Sequence, residues 1–316
     1  MDARNLNVLF VGLGSIGTRH LQNLTAIAKK RDYGLQIDAL RSSIARPLRP
    51  GVEPLLRRQY LDPEQVGEYD LIFVTNPTSL HDEVLEWLKG KGECLFIEKP
   101  IFDKPDYNLE KMGLGQAQKA YVAAPMRWCG VMLALKEKLP ALHPYSARAI
   151  CSSYLPDWRP GVDYRQVYSA HKDMGGGVSI DLIHEWDYLA DLFGMPLETA
   201  NFRGTYSELE VDSDDLSVYI ARYPSLLAEL HLDYFGRPYR RTLELFCKDG
   251  TLTADFGEGT LTLPDGRVER YEEDVNQRYL REMEYFLDYA LTGSGESLNS
   301  PRMALSVLRL AQGLKP

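Results

Sequence analysis

Three titratable side chains recur at every third position in one stretch of this chain, where Asp181, His184 and Asp187 follow the glycine run 175–177. That spacing would place all three in one stripe of a helix predicted over 178–193. A histidine beside a carboxylate can act as a general base that the carboxylate orients, so the stripe suits proton transfer. A solvated polar face of a capped helix is the alternative. One histidine with carboxylates is a poor zinc ligand set, so we expect no metal site.

A lysine follows a second apolar run. Lys99 lies in Glu98-Lys99-Pro100, directly after the strand predicted over 93–97. The carboxyl ends of parallel strands line the crevice where ligands bind, so Lys99 would face a bound ligand there. There it would orient a substrate and polarise or protonate an oxygen. The alternative is a surface lysine next to a loop proline.

The turn from Thr75 to His81 follows the apolar run that ends at Val74, which places it at the same edge of the sheet. Asn76 and the neighbouring hydroxyls would meet ribose or phosphate. Without a phosphate-binding loop upstream, a proline turn with Thr78 or Ser79 as helix cap would explain the same residues.

Such a loop lies near the start of the chain, where the apolar run 8–11 leads into a G-x-G-x-x-G turn. Gly12 would allow the turn, Gly14 would let a pyrophosphate approach the backbone, and Gly17 would let the following helix lie close to the sheet. Related glycine turns hold adenosyl-methionine, but a preceding buried strand and a following amphipathic helix favour a dinucleotide.

The elements that position these residues change character along the chain. Up to about residue 125, near-continuous apolar strands alternate with helices, including one predicted near 109–119, which indicates a parallel sheet covered on both faces. After Pro140 the strand-like segments are of antiparallel type, with hairpin turns at 249–250 and 264–266. We predict an α/β protein with an N-terminal doubly wound parallel sheet of Rossmann type, followed by an α+β domain built on an open, mostly antiparallel sheet. The predicted domains are 1–125, which binds NAD(P), and 126–316, which binds substrate, mediates oligomerisation and has C-terminal helices that pack back on the first domain.

Composition narrows the class of protein. The 316 residues are 44% hydrophobic and 26% charged, and the net charge of -9 argues against nucleic-acid or anionic-membrane partners. The four cysteines form no C-x-x-C pair, and no apolar run is long enough to span a membrane. We expect a cytoplasmic protein with reduced cysteines.

Taken together, these motifs resemble the glucose-fructose oxidoreductase / inositol dehydrogenase (Gfo/Idh/MocA) family in order and spacing over nearly the whole chain. The resemblance rests on the glycine loop with Thr18-Arg19-His20, on 75–81, on Glu98-Lys99-Pro100, on Met126-Arg127-Trp128, and on Asp181 with His184. It implies that Lys99, Asp181 and His184 are the catalytic and substrate-binding residues, and that the protein is a homodimer or homotetramer. One departure is that two residues, not the family's common three, separate Asp181 from His184.

The segment 155–165 resembles relatives associated with bacterial surface-sugar pathways, and its aromatic and basic side chains would stack on and clamp a sugar or its phosphate. A structural Pro/Gly loop is the alternative. The residues predicted to bind substrate are Lys99, Arg127, Trp158, Arg159, Tyr164, Asp181 and His184.

The cofactor is predicted to be NADP(H), with NAD(H) as the rival. The second strand ends before Arg41 and Ser42, without the acid that usually accepts the ribose hydroxyls there, whereas Asp38 is expected to lie before the strand end. The residues predicted to bind cofactor are Gly12, Gly14, Ser15, Ile16, Gly17, Arg41, Ser42, Thr75, Asn76, Pro77, His81, Glu98 and Lys99.

The leading hypothesis is an NAD(P)-dependent oxidoreductase that acts on a secondary alcohol or ketone of a sugar-like molecule, with an acidic, phosphorylated or nucleotide-linked sugar preferred. A second hypothesis keeps the cofactor but lets the enzyme cleave or epimerise a glycoside without net oxidation. A third is a non-catalytic nucleotide sensor, which Lys99 and His184 argue against. A methyltransferase would leave both residues unexplained.

Overall fold

The computed structural model describes residues 5–115, 118–293 and 296–316. The chain divides into two compact units. The first runs to Ala123 and includes Tyr279–Leu305, and the second comprises Ala124–Arg278 and Ser306–Pro316. The chain therefore returns to the first unit after building most of the second.

The first unit contains a sheet of six strands that all pair in parallel, which confirms the predicted parallel sheet. In chain order its strands are β1 (Asn5–Val11), β2 (Gly34–Leu40), β3 (Leu56–Tyr60), β4 (Tyr69–Val74), β5 (Gly92–Ile97) and β6 (Lys119–Val122). The spatial order β3-β2-β1-β4-β5-β6 is that of a doubly wound dinucleotide-binding sheet. The order reverses between β1 and β4, so their carboxyl ends form a crevice.

Apolar strands hold this sheet in the interior. Phe10 of β1 stacks on Phe73 of β4 with ring centroids 4.5 Å apart, and Phe73 lies 5.2 Å from Phe96 of β5. All three rings are fully buried. Helix α1 (Ser15–Lys30) covers the core with Leu21, Leu24 and Ile27, and the shorter helix α2 (His81–Trp87) follows β4.

The second unit contains an eight-stranded sheet in the order β14-β13-β12-β11-β7-β10-β9-β8. All neighbouring strands are antiparallel except β7 and β10, which confirms the predicted mostly antiparallel sheet. The strands are β7 (Ser146–Ser152), β8 (Glu198–Gly204), β9 (Leu216–Arg222), β10 (Leu227–Asp233), β11 (Arg240–Cys247), β12 (Gly250–Asp255), β13 (Thr260–Thr262) and β14 (Val268–Arg270).

Burial alternates along the central strands of this sheet, so one face is packed and the other is open. In β9, Tyr219 and Ala221 are buried whereas Ile220 is 40% exposed. The remaining helices are α3 (Gly130–Leu142), α4 (Val178–Asp181), α5 (His184–Phe193), α6 (Val275–Thr292) and α7 (Pro301–Ala311).

Several elements differ from the sequence predictions. The helix predicted near 109–119 is a turn over 109–113, where the amide of Leu114 bonds back to the carbonyl of Leu109 at 2.8 Å. Gly113 has φ +73, which ends any helix there, and residues 116–117 lie outside the described residues. The edge strand β3 and helix α3 are not predicted from the sequence. The apolar pattern does not reveal β3, because this edge strand carries charged residues such as Arg57 and Arg58 instead of an apolar run.

A further difference concerns the predicted helix over 178–193, which is broken in two. α4 ends at Asp181 and α5 begins at His184, with Leu182 and Ile183 between them. The argument from a stripe assumed one polar face on a continuous amphipathic helix. Almost every residue from Gly176 to Ala190 is buried, so packing on all sides replaces that pattern.

Candidate functional site

The glycine turn of the first unit is held against the turn that follows β4. Gly12 has φ +87, and a Cβ on it would lie 2.9 Å from the Cα and the amide nitrogen of Asn76. A Cβ on Gly17 would lie 2.6 Å from both the Gly12 carbonyl oxygen and Thr75 Oγ1. The Thr75 hydroxyl donates to that carbonyl at 2.6 Å. Packing alone therefore requires glycine at 12 and 17.

Gly14 has no such reason to be glycine. A Cβ on it would meet no atom within 4 Å, and its φ is -72, which any residue adopts. It is the N-cap of α1, and neither a capping side chain nor an acidic residue occupies that end of the helix. The amides of the first turn have no partner within the helix. A glycine that is needed only when a ligand approaches, beside a helix N-terminus, fits a dinucleotide pyrophosphate.

The other predicted residues of this turn and its neighbour lie around it. Ser15 is exposed, Ile16 is half-buried and Pro77 is exposed. Asn76 donates through Nδ2 to the carbonyl of Pro77 at 3.2 Å, whereas its Oδ1 is buried and accepts no hydrogen bond from any described residue. A buried acceptor without a donor beside the glycine turn is where a cofactor hydroxyl or amide would bind.

His81 supports this turn from the interior. It is fully buried, with Nδ1 3.0 Å from the carbonyl oxygen of Ile101 and Nε2 3.2 Å from that of Asn76. Burial lowers its pKa, and the two carbonyl contacts only partly oppose that. A neutral imidazole donates to one carbonyl at a time. The structure thus places His81 behind the Asn76 turn, where it shapes the loop without presenting its side chain to a ligand.

The residues at the end of β2 differ from those of a typical NAD site, in which an acidic side chain at this strand end accepts the ribose hydroxyls. Asp38 is fully buried and bonded to Tyr69 at 2.8 Å and to the Arg57 guanidinium at 2.6 Å. Burial would raise the pKa of Asp38, but the bonds from Arg57 and Tyr69 hold it below its ordinary value. Arg41 follows the strand end, where it bonds to Gln59 at 2.7 Å, and Ser42 beside it is exposed. The side chains offered at this strand end are therefore basic and hydroxylic.

Lys99 is anchored through the residue before it. Glu98 is buried, its Oε1 lies 2.5 Å from Nε2 of fully buried His20, and its Oε2 accepts the Lys99 amide proton at 3.1 Å. Burial favours a raised pKa for Glu98, but the His20 bond and the charges of His20 and Lys99 outweigh it and lower that pKa. Lys99 itself is half-buried and forms no ion pair with any residue that the structure describes. Its ammonium is thus available to a ligand at the end of β5.

In the second unit, Asp181 is the centre of a hydrogen-bonded cluster. Its Oδ1 accepts from the hydroxyl of Tyr168 at 2.8 Å and its Oδ2 from that of Tyr234 at 2.6 Å. His184 begins α5 and is half-buried. Burial raises the pKa of Tyr168 and of Tyr234, and the negative charge of Asp181 raises it further, so both stay protonated at neutral pH. The sequence argument missed both tyrosines, because they lie 13 and 53 residues from Asp181 and no local spacing links them.

The glycine run before α4 serves packing. A Cβ on Gly176 would lie 2.6 Å from the carbonyl oxygen of Ser169, and Gly177 has φ +129. Asp214 then caps the start of α4, where its Oδ2 accepts the amide of Ser179 at 3.0 Å. The run lets the segment that carries Tyr168 lie directly against the chain that leads to Asp181.

Arg127 is placed differently from its prediction as a substrate residue. It is 4% exposed, and its guanidinium lies 3.5 Å from Asp187 and 3.6 Å from Asp191. Asp187, the third member of the predicted stripe, thus serves a buried ion pair. Removing one partner of such a pair leaves an uncompensated buried charge, so this arginine holds the second unit together and is not offered to a ligand.

The predicted substrate loop lies around the same tyrosines. Trp158 donates to Ser153 Oγ at 2.8 Å and meets Tyr234 edge-on with centroids 5.3 Å apart. The guanidinium of exposed Arg159 lies 5.7 Å from the ring centroid of Tyr168. Tyr164 is farther along the loop, where its hydroxyl accepts the amide of Glu210 at 3.1 Å.

No group of three or more histidine, cysteine, aspartate and glutamate side chains in the described part of the chain is arranged to hold a metal ion. No helix in those residues has the length and apolar character needed to cross a membrane.

The strand order of the first unit, the glycine turn at its switch point and the open helix N-terminus define a dinucleotide-binding protein of the Rossmann class. Residues 6–119 match the Gfo/Idh/MocA family, described as an oxidoreductase family with an NAD-binding Rossmann fold. This match covers the first domain, which is therefore similar to the NAD-binding domain of that family. No curated protein matches the sequence.

Solved structures share the fold over the whole chain. A levoglucosan dehydrogenase in complex with NADH and levoglucosan superposes with a TM-score of 0.85 at 14% identity, covering 98% of this chain and 96% of that one. UDP-N-acetylglucosamine 3-dehydrogenase from Acidithiobacillus ferrooxidans has a TM-score of 0.77 at 20% identity, covering 98% and 97%. Myo-inositol 2-dehydrogenase from Lactobacillus plantarum has a TM-score of 0.76 at 17% identity, covering 98% and 96%. At such identities the likeness establishes the fold.

Proposed function

We propose that this protein is an NAD(P)-dependent dehydrogenase that oxidises a secondary alcohol of a sugar or sugar derivative, or reduces the corresponding ketone. The observation that carries the proposal is Gly14, a glycine at a helix N-terminus whose missing side chain matters only when a ligand occupies the turn. Lys99, with no ion pair among the described residues, follows β5, the strand next to β4. The dehydrogenases of similar fold act on levoglucosan, UDP-N-acetylglucosamine and inositol, which supports a polyhydroxylated substrate.

The cofactor would be held by the glycine turn, by Asn76, whose Oδ1 accepts no hydrogen bond from the described residues, and by the residues at the end of β2. When bound, its nicotinamide accepts or donates the hydride. Lys99 and His184 are proposed to hold and move the proton of the substrate hydroxyl, as the family resemblance implies. Asp181, with both oxygens bonded to tyrosines, is proposed to orient neighbouring groups.

NADP(H) is the proposed cofactor in preference to NAD(H). The acid that would reject a 2′-phosphate, Asp38, is buried and neutralised by Arg57, whereas Arg41 and Ser42 follow the strand. A guanidinium and hydroxyls are the groups that bind a phosphate monoester.

For the substrate, the charges of the loop support an anionic sugar, such as a sugar phosphate, a sugar nucleotide or an acidic sugar. Arg159 is exposed and makes no ion pair among the residues that the structure describes. Arg165, by contrast, is bonded to Asp163 and Glu210, and Arg127 is buried in its own pairs. Arg159 is therefore the loop arginine that supports this preference.

A homodimer or homotetramer is proposed on the open face of the second unit's sheet. That face presents Phe202, which is 74% exposed, together with Ile220 at 40%. Phe202 is paired in register with Val218, so these apolar side chains form a continuous patch across β8 and β9. An apolar patch on a sheet face commonly marks an interface. Sedimentation that finds only monomer at working concentration would contradict the assembly.

The function is tested by following NAD(P)H absorbance with the purified protein. The panel comprises levoglucosan, myo-inositol, a hexose 6-phosphate, a uronic acid and UDP-N-acetylglucosamine, each with NADP⁺ and NAD⁺. We expect cofactor reduction with at least one compound and the highest kcat/KM with an anionic one. Arg159→Ala should raise KM for the anionic substrate and leave that for neutral polyols unchanged. Product formation without any absorbance change would replace the dehydrogenase by an enzyme that oxidises only transiently.

A further inference from the structure

The carboxylate of Asp181 is more constrained than its place in the motif suggests. The side chain is 8% exposed, and each oxygen already accepts a tyrosine hydroxyl, at 2.8 and 2.6 Å. A carboxylate bonded at both oxygens and enclosed to this degree has little surface left for a substrate. Asp181 can therefore contribute to substrate recognition only through the two tyrosines that it binds.

The two tyrosines differ in what they can reach. Tyr234 is fully buried and packed edge-on against Trp158, so its ring serves the interior. Tyr168 bonds to the same carboxylate but is 40% exposed. Tyr168 is therefore the side chain through which the Asp181 cluster meets the surroundings.

The segment that carries Tyr168 is built to keep it there. The carbonyl of Ser169 accepts the Ser213 hydroxyl at 2.7 Å, and the carbonyl of Ala170 accepts the amide of Asp212 at 3.0 Å. Gly176 lets the backbone of Ser169 approach closely, because a Cβ there would lie 2.6 Å from its carbonyl oxygen. These contacts hold the backbone that directly follows Tyr168, while the bond to Asp181 holds its hydroxyl.

The bond to Asp181 also decides the polarity of the Tyr168 oxygen. A phenol has one proton, and here that proton points at a carboxylate that can only accept. The oxygen therefore faces any ligand with its lone pairs, as an acceptor. Ligand groups that donate a hydrogen bond, such as alcohol hydroxyls, suit that oxygen, whereas a carbonyl or phosphate oxygen does not. An anionic group instead suits Arg159, whose guanidinium lies 5.7 Å from the centroid of the same ring.

We propose that Tyr168 is a specificity-determining residue that accepts a hydrogen bond from a hydroxyl of the sugar-like substrate, with Asp181 as the positioning residue that sets its polarity. This inference rests on the proposed function. It assigns recognition of a substrate hydroxyl to a tyrosine outside the Asp-to-His motif and gives Asp181 an indirect part.

Tyr168→Phe tests the proposal, because it removes the oxygen and keeps the ring beside Arg159. The measurements are KM and kcat with the best substrate of the panel above, and the dissociation constant of the cofactor. We expect kcat/KM to fall about tenfold or more, chiefly through a higher KM, with cofactor affinity unchanged. Tyr145→Phe is the matched control, since it removes a hydroxyl bond to the Cys247 carbonyl elsewhere in the same unit and should leave kcat/KM unchanged.

The outcomes separate the two proposals. If the parent reduces cofactor and Tyr168→Phe has the parent's kcat/KM, the role of Tyr168 is overturned and the dehydrogenase stands. If the parent reduces no cofactor with any member of the panel, the proposed function falls and the inference with it. Thermal unfolding accompanies each variant. A loss of activity that Tyr234→Phe reproduces together with an equal fall in melting temperature would assign both tyrosines to stability and overturn the proposal.

Discussion

The imidazole of His20 and the carboxylate of Glu98 form a buried pair, 2.5 Å apart, although 78 residues separate them in the chain. His20 lies on α1, beyond the glycine turn, and Glu98 directly follows β5, next to Lys99. The rings of Phe96 and Tyr279 enclose the imidazole, with centroids 4.7 and 6.0 Å away. The pair thus links the helix of the proposed cofactor turn to the residue that anchors the proposed catalytic lysine.

This pair predicts a specific dependence of stability on pH. The folded pKa of Glu98 is lowered, so its contribution to stability is present above the ordinary carboxyl pKa, about 4.3, and is lost as pH falls through the folded value. In His20→Leu the burial remains without its partner, and the folded pKa should rise above the ordinary one. In the variant the ionised Glu98 therefore destabilises the fold, and protonating it at lower pH removes that destabilisation.

The measurement is the free energy of unfolding by urea from about pH 4 to 7. Near pH 7, His20→Leu should lower the free energy of unfolding by about 3–5 kcal/mol, because one partner of a buried pair is removed. The difference between parent and variant should shrink as pH falls. Lys30→Ala is the control, because the exposed Lys30–Glu284 pair, 3.7 Å apart, should contribute less than about 1 kcal/mol. A difference that stays constant with pH would contradict the assigned ionisation of Glu98.

The acid/base assignment is tested by Lys99→Ala and His184→Ala. Each should lower kcat by about two to four powers of ten, because a positioned proton-transfer group is lost, while cofactor affinity changes little. Lys104→Ala is the matched control, since that lysine is exposed and follows the same strand by only a few residues. Near-normal turnover in both variants would remove these residues from the mechanism.

Alanine substitutions at Gly14 and Gly17 should have different effects, the first on cofactor affinity and the second on stability. Gly14→Ala adds a methyl group where no atom lies within 4 Å, so stability should change by no more than about 1 kcal/mol. Cofactor affinity should nevertheless fall at least about tenfold, because the methyl group occupies the approach of the pyrophosphate. Gly17→Ala places a Cβ 2.6 Å from the Gly12 carbonyl oxygen and should destabilise the first unit by about 1–3 kcal/mol. Melting temperatures and cofactor titrations distinguish the two, and unchanged affinity in Gly14→Ala would locate the pyrophosphate elsewhere.

Cofactor choice is tested by titrating parent and Arg41→Ala with NADPH and NADH. The parent should bind NADPH more tightly, and Arg41→Ala should weaken NADPH about tenfold without affecting NADH, because an arginine–phosphate bond is lost. Arg49→Ala, at an exposed position of the same connection, serves as the control. Tenfold tighter binding of NADH than of NADPH by the parent would show that the end of β2 binds the ribose hydroxyls of NAD(H) and not the 2′-phosphate of NADP(H).

Sequence reasoning succeeded where the signal is contiguous. The apolar run of β1, the glycine turn and α1 are neighbours in the chain, so their types alone predict strand, turn and helix. The same holds for the placement of Lys99 at the end of β5, because a buried parallel strand is a plain apolar run. These local patterns identified the fold class and placed Lys99 and the glycine turn at the ends of parallel strands.

Sequence reasoning failed where a side chain's partner is distant. Arg127 was assigned to substrate, yet Asp187 and Asp191 neutralise it in the interior.

Sequence reasoning also failed where a helix was expected to be continuous. Asp181, His184 and Asp187 were assigned to one helical stripe, yet the helix breaks after Asp181. Periodicity describes a helix with one wet face, and it loses its meaning in a segment that is buried on nearly every side.

By itself the sequence determined the parallel and antiparallel sheets, the glycine turn and the residues that carry charge. Only the tertiary structure decided which of those charges are neutralised by the chain and which are offered to a ligand. The reason is physical: an ionised side chain enters the interior only with a partner, and Asp38 with Arg57 or Glu98 with His20 meet only after folding. Lys99 and Arg159, which form no ion pair among the described residues, are in consequence the cations through which we propose that the protein acts.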